Sequence, residues 1–266
     1  MKKVALVTLH GMGKIKPNYF GDLEKGLKKR LGDRWSQISF QNVQYAPAMQ
    51  KPQDALWKDV NGEPNNDIDS SRLRKFFLYS FSDASSLEHS AQRGEGTYLA
   101  AQKAIQMKLK RAYRDLKNVN DKHVVIIAQS LGCQVISNYL WDAQKGKNIF
   151  KNTDGIAPDE LKFLKLKSLK HLITTGCNIP IFVGGMTTRK CFSKPHGDFK
   201  WDNYYDPDDA LGWPVRQLGK TFEIANDHDI NAGGLITSWN PLSHGQYWSD
   251  RNVIKPLSNT LEGLLG

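Results

Sequence analysis

The strongest secondary-structure signal in the chain is the segment His123-Val124-Val125-Ile126-Ile127-Ala128-Gln129-Ser130-Leu131-Gly132-Cys133. Its four consecutive β-branched residues predict a strand that is buried on both faces, as strands of a parallel sheet are. A helix is predicted directly after it, from Cys133 to about Gln144. Strands that alternate with helices build a mostly parallel sheet with helices on both faces, so the predicted fold class is α/β.

The rest of the chain fits one domain, residues 1–266, with one insertion. Further strands are predicted at Val4–Leu9, Ile38–Tyr45, Leu172–Thr175 and Phe199–Tyr205, and further helices at Phe20–Leu31 and Thr97–Lys117. The tripeptide Asp227-His228-Asp229 is interpreted as loop. Between about residues 46 and 96 the pattern is interrupted by prolines, and a lid or cap over one end of the sheet is expected there.

Composition limits the class of protein. The chain has 266 residues, three cysteines and a formal net charge of +10. An odd, widely spaced set of cysteines predicts neither a disulfide framework nor a zinc site, and neither a metal nor an organic cofactor is expected. The absence of a signal peptide or membrane span in the sequence favours a cytoplasmic location.

The positive charge is assigned to solvated surfaces. Its densest run, Lys103 to Lys117, carries apolar residues at helical spacing, which places the charges on the outer face of an amphipathic helix. No aromatic residues are interleaved for base stacking, so no nucleic-acid partner is predicted. A weak contact with an anionic membrane surface is the remaining expectation from the charge. The sequence gives no indication of the oligomeric state.

Ser130 stands where a strand turns directly into a helix. A sharp turn of this kind forces an unusual backbone conformation, and the small residues Ala128 and Gly132, two positions to either side, relieve the crowding. The Ser130 hydroxyl then projects above the sheet, with the N–H of Leu131 at the helix N-terminus beside it. This context resembles the nucleophile elbow of the α/β-hydrolase superfamily, of the serine esterase and lipase type. Ala128 occupies a position where that family usually has glycine.

The resemblance extends to the loop after the first strand, His10-Gly11-Met12-Gly13. In lipases that the chain resembles, a His-Gly motif at this place supplies the second N–H of the oxyanion hole, which here is that of Met12. Glycines on either side let a carbonyl oxygen approach the backbone closely. His10 and Gly11 are therefore expected to lie at the substrate.

The family order of nucleophile, acid and histidine assigns the other two members of a triad. His244 is the last histidine, in the loop segment Ser243-His244-Gly245-Gln246-Tyr247-Trp248, where the two aromatic side chains are expected to enclose its ring. Asp209 matches the family's acid best, in a turn after the predicted strand Phe199–Tyr205, with Asp206 as the second choice.

These residues together predict a serine hydrolase that cleaves carboxylic esters of small molecules through an acyl-enzyme, that is, a carboxylesterase or lipase. The aromatic side chains Phe76 and Phe77 of the insertion, together with Trp57 and Phe81, are candidates for an acyl pocket or for packing of the cap. Two alternatives remain open. One is a thioesterase, peptidase or acyltransferase of the same fold, and the other is an inactive α/β-hydrolase that acts as a binding protein.

Overall fold

The computed structural model describes residues 1–11, 15–45, 47, 57, 96–232 and 243–266, and it describes residues 243–245 by their backbone alone. Six strands form one sheet in which every pairing is parallel. In chain order they are β1 (Val4–Leu9), β2 (Ile38–Val43), β3 (His123–Gln129), β4 (Leu169–Thr175), β5 (Lys200–Tyr205) and β6 (Ala225–Asp229). The predicted α/β class with a parallel central sheet is confirmed.

The helices of the described residues are α1 (Gly21–Leu31), α2 (Gly96–Asp115), α3 (Leu131–Lys145), α4 (Pro158–Leu164), α5 (Ile179–Val183) and α6 (Arg251–Leu265). The helices α1, α2 and α3 agree with the predicted ones to within two residues at either end, whereas α4, α5 and α6 were not predicted. Within the part of the chain described, no helix is long and apolar enough to cross a membrane. The expected cap lies outside the described residues, except for Pro47 and the half-buried Trp57.

The interpretation of Asp227-His228-Asp229 as loop is wrong, because these residues belong to the edge strand β6. An edge strand pairs on one side only, so its sequence need not be apolar. Its polar side chains instead bind the neighbouring strand β5: Asn203 donates to Asp227, and the ring of His228 lies 2.9 Å from the Asp202 carboxylate.

Alternating side chains of the inner strands enter two separate cores. Ala5 and Val7 of β1 pack with α2 and α3 on one face of the sheet. Val4 and Leu6 pack with α1 and α6 on the other face. The buried residues of α2 include the apolar positions at helical spacing, and Lys103, Arg111 and Lys117 are exposed. The solvated basic face predicted from the sequence is confirmed.

The strand order β2-β1-β3-β4-β5-β6 places β1 beside β3 in the interior of the sheet. The chain leaves β1 through α1 toward β2 on one face and reaches β3 through α2 on the opposite face. Connections that diverge in this way open a crevice at the carboxyl ends of the two strands, which is where ligands bind in open α/β sheets. Ser130 follows β3, and His10 follows β1, so both lie at this crevice.

Candidate active site

Ser130 occupies the turn between β3 and α3 in a strained backbone conformation, with φ +51° and ψ −121°. Non-glycine residues avoid positive φ, so the turn is held by its surroundings. The Ser130 N–H donates to the carbonyl of Thr175 on β4 at 2.9 Å, and its carbonyl accepts from the N–H of Cys133 in α3 at 2.9 Å. These two bonds fix the residue at the carboxyl edge of the sheet.

The Ser130 side chain is fully buried, and its Oγ has no hydrogen-bond partner among the described residues. Buried hydroxyls are normally paired, and unpaired ones concentrate where a ligand or a catalytic partner acts. The N–H of Leu131, the first residue of α3, belongs to the orphan amide groups of a helix N-terminus, where negative charge is stabilised. This part of the predicted site is therefore chemically suited to an oxyanion.

Two glycines allow the β1 loop and the β3 turn to touch. A Cβ atom on Gly11 would lie 3.0 Å from Cβ and 3.5 Å from Oγ of Ser130. A Cβ atom on Gly132 would lie 2.6 Å from the carbonyl oxygen of His10 and 2.9 Å from that of Leu9. Any larger side chain at either position would push the two segments apart. Gly132 thus allows α3 to lie close to the end of β1, a role that the sequence did not reveal.

His10 holds the backbone of the loop after β1 in place through its ring. Its ring is buried and stacks on Tyr45, with ring centroids 4.0 Å apart. Nδ1 donates to the carbonyl of Gly11 at 2.8 Å, and Nε2 accepts from the Tyr45 N–H at 3.4 Å, which is the pattern of one neutral tautomer. Burial lowers the pKa of His10 to about 4, although the bond to Gly11 opposes the shift. These contacts identify His10 as a residue that positions Gly11.

The three aspartates after β5 have different surroundings. Asp208 is exposed. Asp206 is buried, and its two carboxylate oxygens accept from the N–H groups of Asp208 and Ala232 at 2.9 and 2.8 Å. Asp209 is also buried, and it accepts from the Leu211 N–H and from the hydroxyl of Tyr247. Asp206 therefore holds its own turn and the segment after β6, whereas Asp209 binds the C-terminal segment.

That segment is a 3₁₀ helix, Ser243–Trp248, and its backbone includes His244. The predicted loop histidine thus stands on an ordered turn, three residues before Tyr247. Tyr247 and Trp248 are buried, and the Trp248 ring contacts Tyr19 next to α1. Burial, followed by the nearby charge of Asp209, raises the pKa of the Tyr247 hydroxyl well above its usual range. Tyr247 is therefore a neutral hydrogen-bond donor to Asp209.

Several predicted site residues are outside the described residues: Met12, Phe76, Phe77 and the side chain of His244. Their roles remain predictions. Gly11, which precedes Met12, is in contact with Ser130 as described above. The carboxyl edge thus brings together Ser130, Leu131, His10 and Gly11 near the junction of β1 and β3, and Asp209 beyond β5.

A second polar cluster lies on the face of the sheet that α6 covers. The Asp202 carboxylate lies 2.7 Å from Nε2 of His171 and 2.9 Å from Nε2 of His228, and Nδ1 of His171 pairs with Thr260 of α6. Burial alone would raise the pKa of Asp202, but the two histidines hold it well below its usual range. The described residues include no group of three His, Cys, Asp or Glu side chains placed to hold a metal ion.

Asn178 was missed by the sequence analysis. It follows β4 at the carboxyl edge, is fully buried, and has no partner for either side-chain atom among the described residues. The signal available was its place three residues after the predicted strand Leu172–Thr175, because polar residues at that edge line ligand sites in α/β sheets.

No protein-family model matches the chain, and no curated protein matches it. Among solved structures, the chain is similar to an acetylxylan esterase determined at 0.90 Å resolution. The two chains are 12% identical, the match covers 100% of each, and the TM-score is 0.44. At this identity and TM-score the likeness supports no argument about activity.

Proposed function

We propose that the chain is a serine hydrolase of the α/β-hydrolase type that cleaves carboxylic esters through an acyl-enzyme intermediate. The observation that carries the proposal is Ser130: a buried hydroxyl without a partner among the described residues, on a strained turn between β3 and α3. Strain of this kind persists only where the surroundings impose it, and it concentrates at functional sites. Its place at the crevice between β1 and β3 is where a substrate would bind.

In the proposed reaction, His244 removes the proton of Ser130 as Oγ attacks the ester carbonyl. The N–H groups of Leu131 and Met12 stabilise the oxyanion. His244 then protonates the leaving alcohol, and a water molecule, deprotonated by the same histidine, hydrolyses the acyl-enzyme. Asp209 holds the His244 ring in the required tautomer and stabilises its protonated form.

The helix geometry and one hydrogen bond support the pairing of Asp209 with His244. A 3₁₀ helix has three residues per turn, so positions 244 and 247 fall on the same face of the helix Ser243–Trp248. At position 247, the hydroxyl of Tyr247 donates a hydrogen bond to Oδ2 of Asp209 at 2.9 Å. The acid is therefore near the face of the helix to which His244 belongs, whereas the carboxylate of Asp206 accepts from the backbone N–H groups of Asp208 and Ala232, which lie outside this helix.

Labelling with a fluorophosphonate, followed by mass spectrometry, tests the proposal directly. Ser130 is expected to be the modified residue, and Ser130→Ala is expected to lose both labelling and at least about 10⁴-fold of the turnover of p-nitrophenyl butyrate. Ser168→Ala is the control, because Ser168 precedes β4 at the opposite edge of the sheet. An unlabelled, inactive wild-type protein would favour the binding-protein alternative, and substantial turnover by Ser130→Ala would refute the assignment.

A further inference from the structure

Unpaired polar atoms are concentrated around the proposed nucleophile. The described residues contain six buried side-chain atoms without a hydrogen-bond partner. Two are the oxygens of Gln37 and Gln102, and the other four belong to Ser130, Gln134 and Asn178. Leaving such an atom unpaired destabilises the folded protein, so natural proteins rarely accumulate them without a function.

Asn178 lies beside the first turn of α3. Three residues before it, the carbonyl of Thr175 accepts the N–H of Ser130. One residue before it, Cys177 lies beside Cys133, which follows Ser130 by three residues. Asn178 thus belongs to the segment after β4 that contacts the turn carrying the nucleophile.

Gln134 stands one helical turn after Ser130 and begins a groove of about 360 Å³. One wall is the outer face of α3, with Gln134, Asn138 and Trp141, and the other includes Ile179 and Val183 of α5. Asn178 directly precedes Ile179. Gln134, whose Oε1 is unpaired, thus lines the groove, and Asn178 adjoins its opposite wall through Ile179.

Among the described residues, the amide of Asn178 makes no hydrogen bond that would explain its burial. It precedes α5 but makes no capping hydrogen bond. Its Nδ2 offers two donors and its Oδ1 an acceptor, so a complementary ligand must both accept and donate, as a hydroxyl group does. An alkyl chain does neither and would leave both atoms unpaired.

We propose that Asn178, with Gln134, hydrogen-bonds a hydroxyl group of the substrate, and that the substrates are esters with a hydroxyl group close to the scissile bond. This assignment rests on the proposed ester hydrolysis at Ser130. It adds a specificity determinant: plain alkyl esters are poor substrates because they leave the Asn178 amide and the Gln134 Oε1 atom unpaired.

Matched ester pairs test this assignment. We expect the wild-type kcat/KM of methyl 3-hydroxybutanoate to exceed that of methyl butanoate, or that of glycerol monoacetate to exceed that of propyl acetate, by about tenfold or more. In Asn178→Leu, the ratio should fall to near one, mainly through a higher KM for the hydroxylated ester. The melting temperature of this variant should be unchanged or higher, because no native hydrogen bond is lost; a purely structural role predicts a fall.

Gln37→Leu is the matched control, since it removes an unpaired amide oxygen at the amino edge of the sheet and should leave the ratio unchanged. Asn178→Ala replaces Asn178→Leu if the larger side chain prevents folding. Ratios near one for both pairs in the wild type, or a ratio retained in both Asn178 variants, would overturn the assignment.

Calorimetry with the Ser130→Ala protein separates this proposal from the proposed function. The hydroxylated esters should bind that protein about tenfold more tightly than their plain partners, and the addition of Asn178→Leu should abolish the preference. If Ser130 is labelled and esters are hydrolysed without any preference, the hydrolase stands and the specificity fails. If no ester is hydrolysed but the binding preference is present, the specificity stands and the proposed hydrolase activity fails.

Discussion

The hydroxyl of Tyr247 donates a 2.9 Å hydrogen bond to Oδ2 of Asp209, and the Tyr247 hydroxyl oxygen accepts the N–H of Asp206 at 3.0 Å. One buried phenol therefore joins the loop after β5 to the 3₁₀ helix Ser243–Trp248. Gly212 makes room for the contact: a Cβ atom there would lie 2.6 Å from Oδ2 of Asp209 and 3.0 Å from the Tyr247 oxygen. The proposed acid thus has a fixed position relative to the segment that contains the proposed base.

This geometry separates the roles of the aspartates. Asp209→Asn is expected to lower kcat for p-nitrophenyl butyrate by about 10²–10⁴-fold while the fold persists, because the amide cannot stabilise the protonated histidine. Asp208→Asn, at an exposed position in the same turn, is the matched control and should be near wild type. A severe loss in the control, or full activity of Asp209→Asn, would contradict the assignment of the acid.

Asp206→Asn should act on stability. Its carboxylate accepts two backbone N–H bonds, and the amide retains only one good acceptor atom. We expect the free energy of unfolding to fall by about 1–3 kcal/mol, measured by urea denaturation. An unchanged free energy of unfolding combined with lost turnover would instead make Asp206 the acid.

Tyr247→Phe removes the donor to Asp209 and the acceptor for the Asp206 N–H. We expect a loss of about 1–3 kcal/mol in the free energy of unfolding, since two buried groups lose their common partner. At equal concentrations of variant and wild type, turnover should fall by about tenfold, because the Asp209 carboxylate loses its fixed orientation. Equal activity of variant and wild type, with both folded, would show that the bond does not position Asp209.

Gly132→Ala tests the contact between α3 and β1. The added methyl group would meet the carbonyl oxygens of His10 and Leu9, which are backbone atoms and cannot rotate away. We expect a loss of about 3 kcal/mol in stability and a strong loss of esterase activity. Gly263→Ala is the control: it lies in α6 with no atom within 4 Å of the new Cβ, and it should gain up to about 1 kcal/mol.

The buried His10 predicts a dependence of stability on pH. Its pKa is about 4 in the folded protein and 6.5 in the unfolded chain, so the unfolded chain binds the additional proton between these values. The contribution of His10 to the free energy of unfolding is therefore fully present above about pH 6.5. It is lost as the pH drops toward 4, and the loss is about 3 kcal/mol. Urea denaturation at several pH values measures it, and the difference in slope between wild type and His10→Asn isolates the contribution of His10. Parallel curves for the two proteins would contradict it.

Much of the fold could be predicted because the pattern is local. Four β-branched residues in succession defined β3, and Leu23, Leu27 and Leu31 defined one face of α1. The strand β6 could not be recognised from its polar sequence, Ala-Asn-Asp-His-Asp, because an edge strand needs only one partner and Asp202 and Asn203 satisfy its side chains. The short helix α5 was missed for a related reason, since a few apolar residues contain too little periodicity to identify a helix.

The sequence by itself determined the position of Ser130 at a strand-to-helix turn, because that depends on residues adjacent in the chain. It also restricted the acid to three neighbouring aspartates. Only the tertiary structure distinguishes their surroundings, since the bond between Asp209 and Tyr247 joins segments 38 residues apart in sequence. It alone showed that Gly132 faces His10 and that Asn178 is buried with neither amide atom paired among the described residues, because contacts and burial arise from the packing of distant segments.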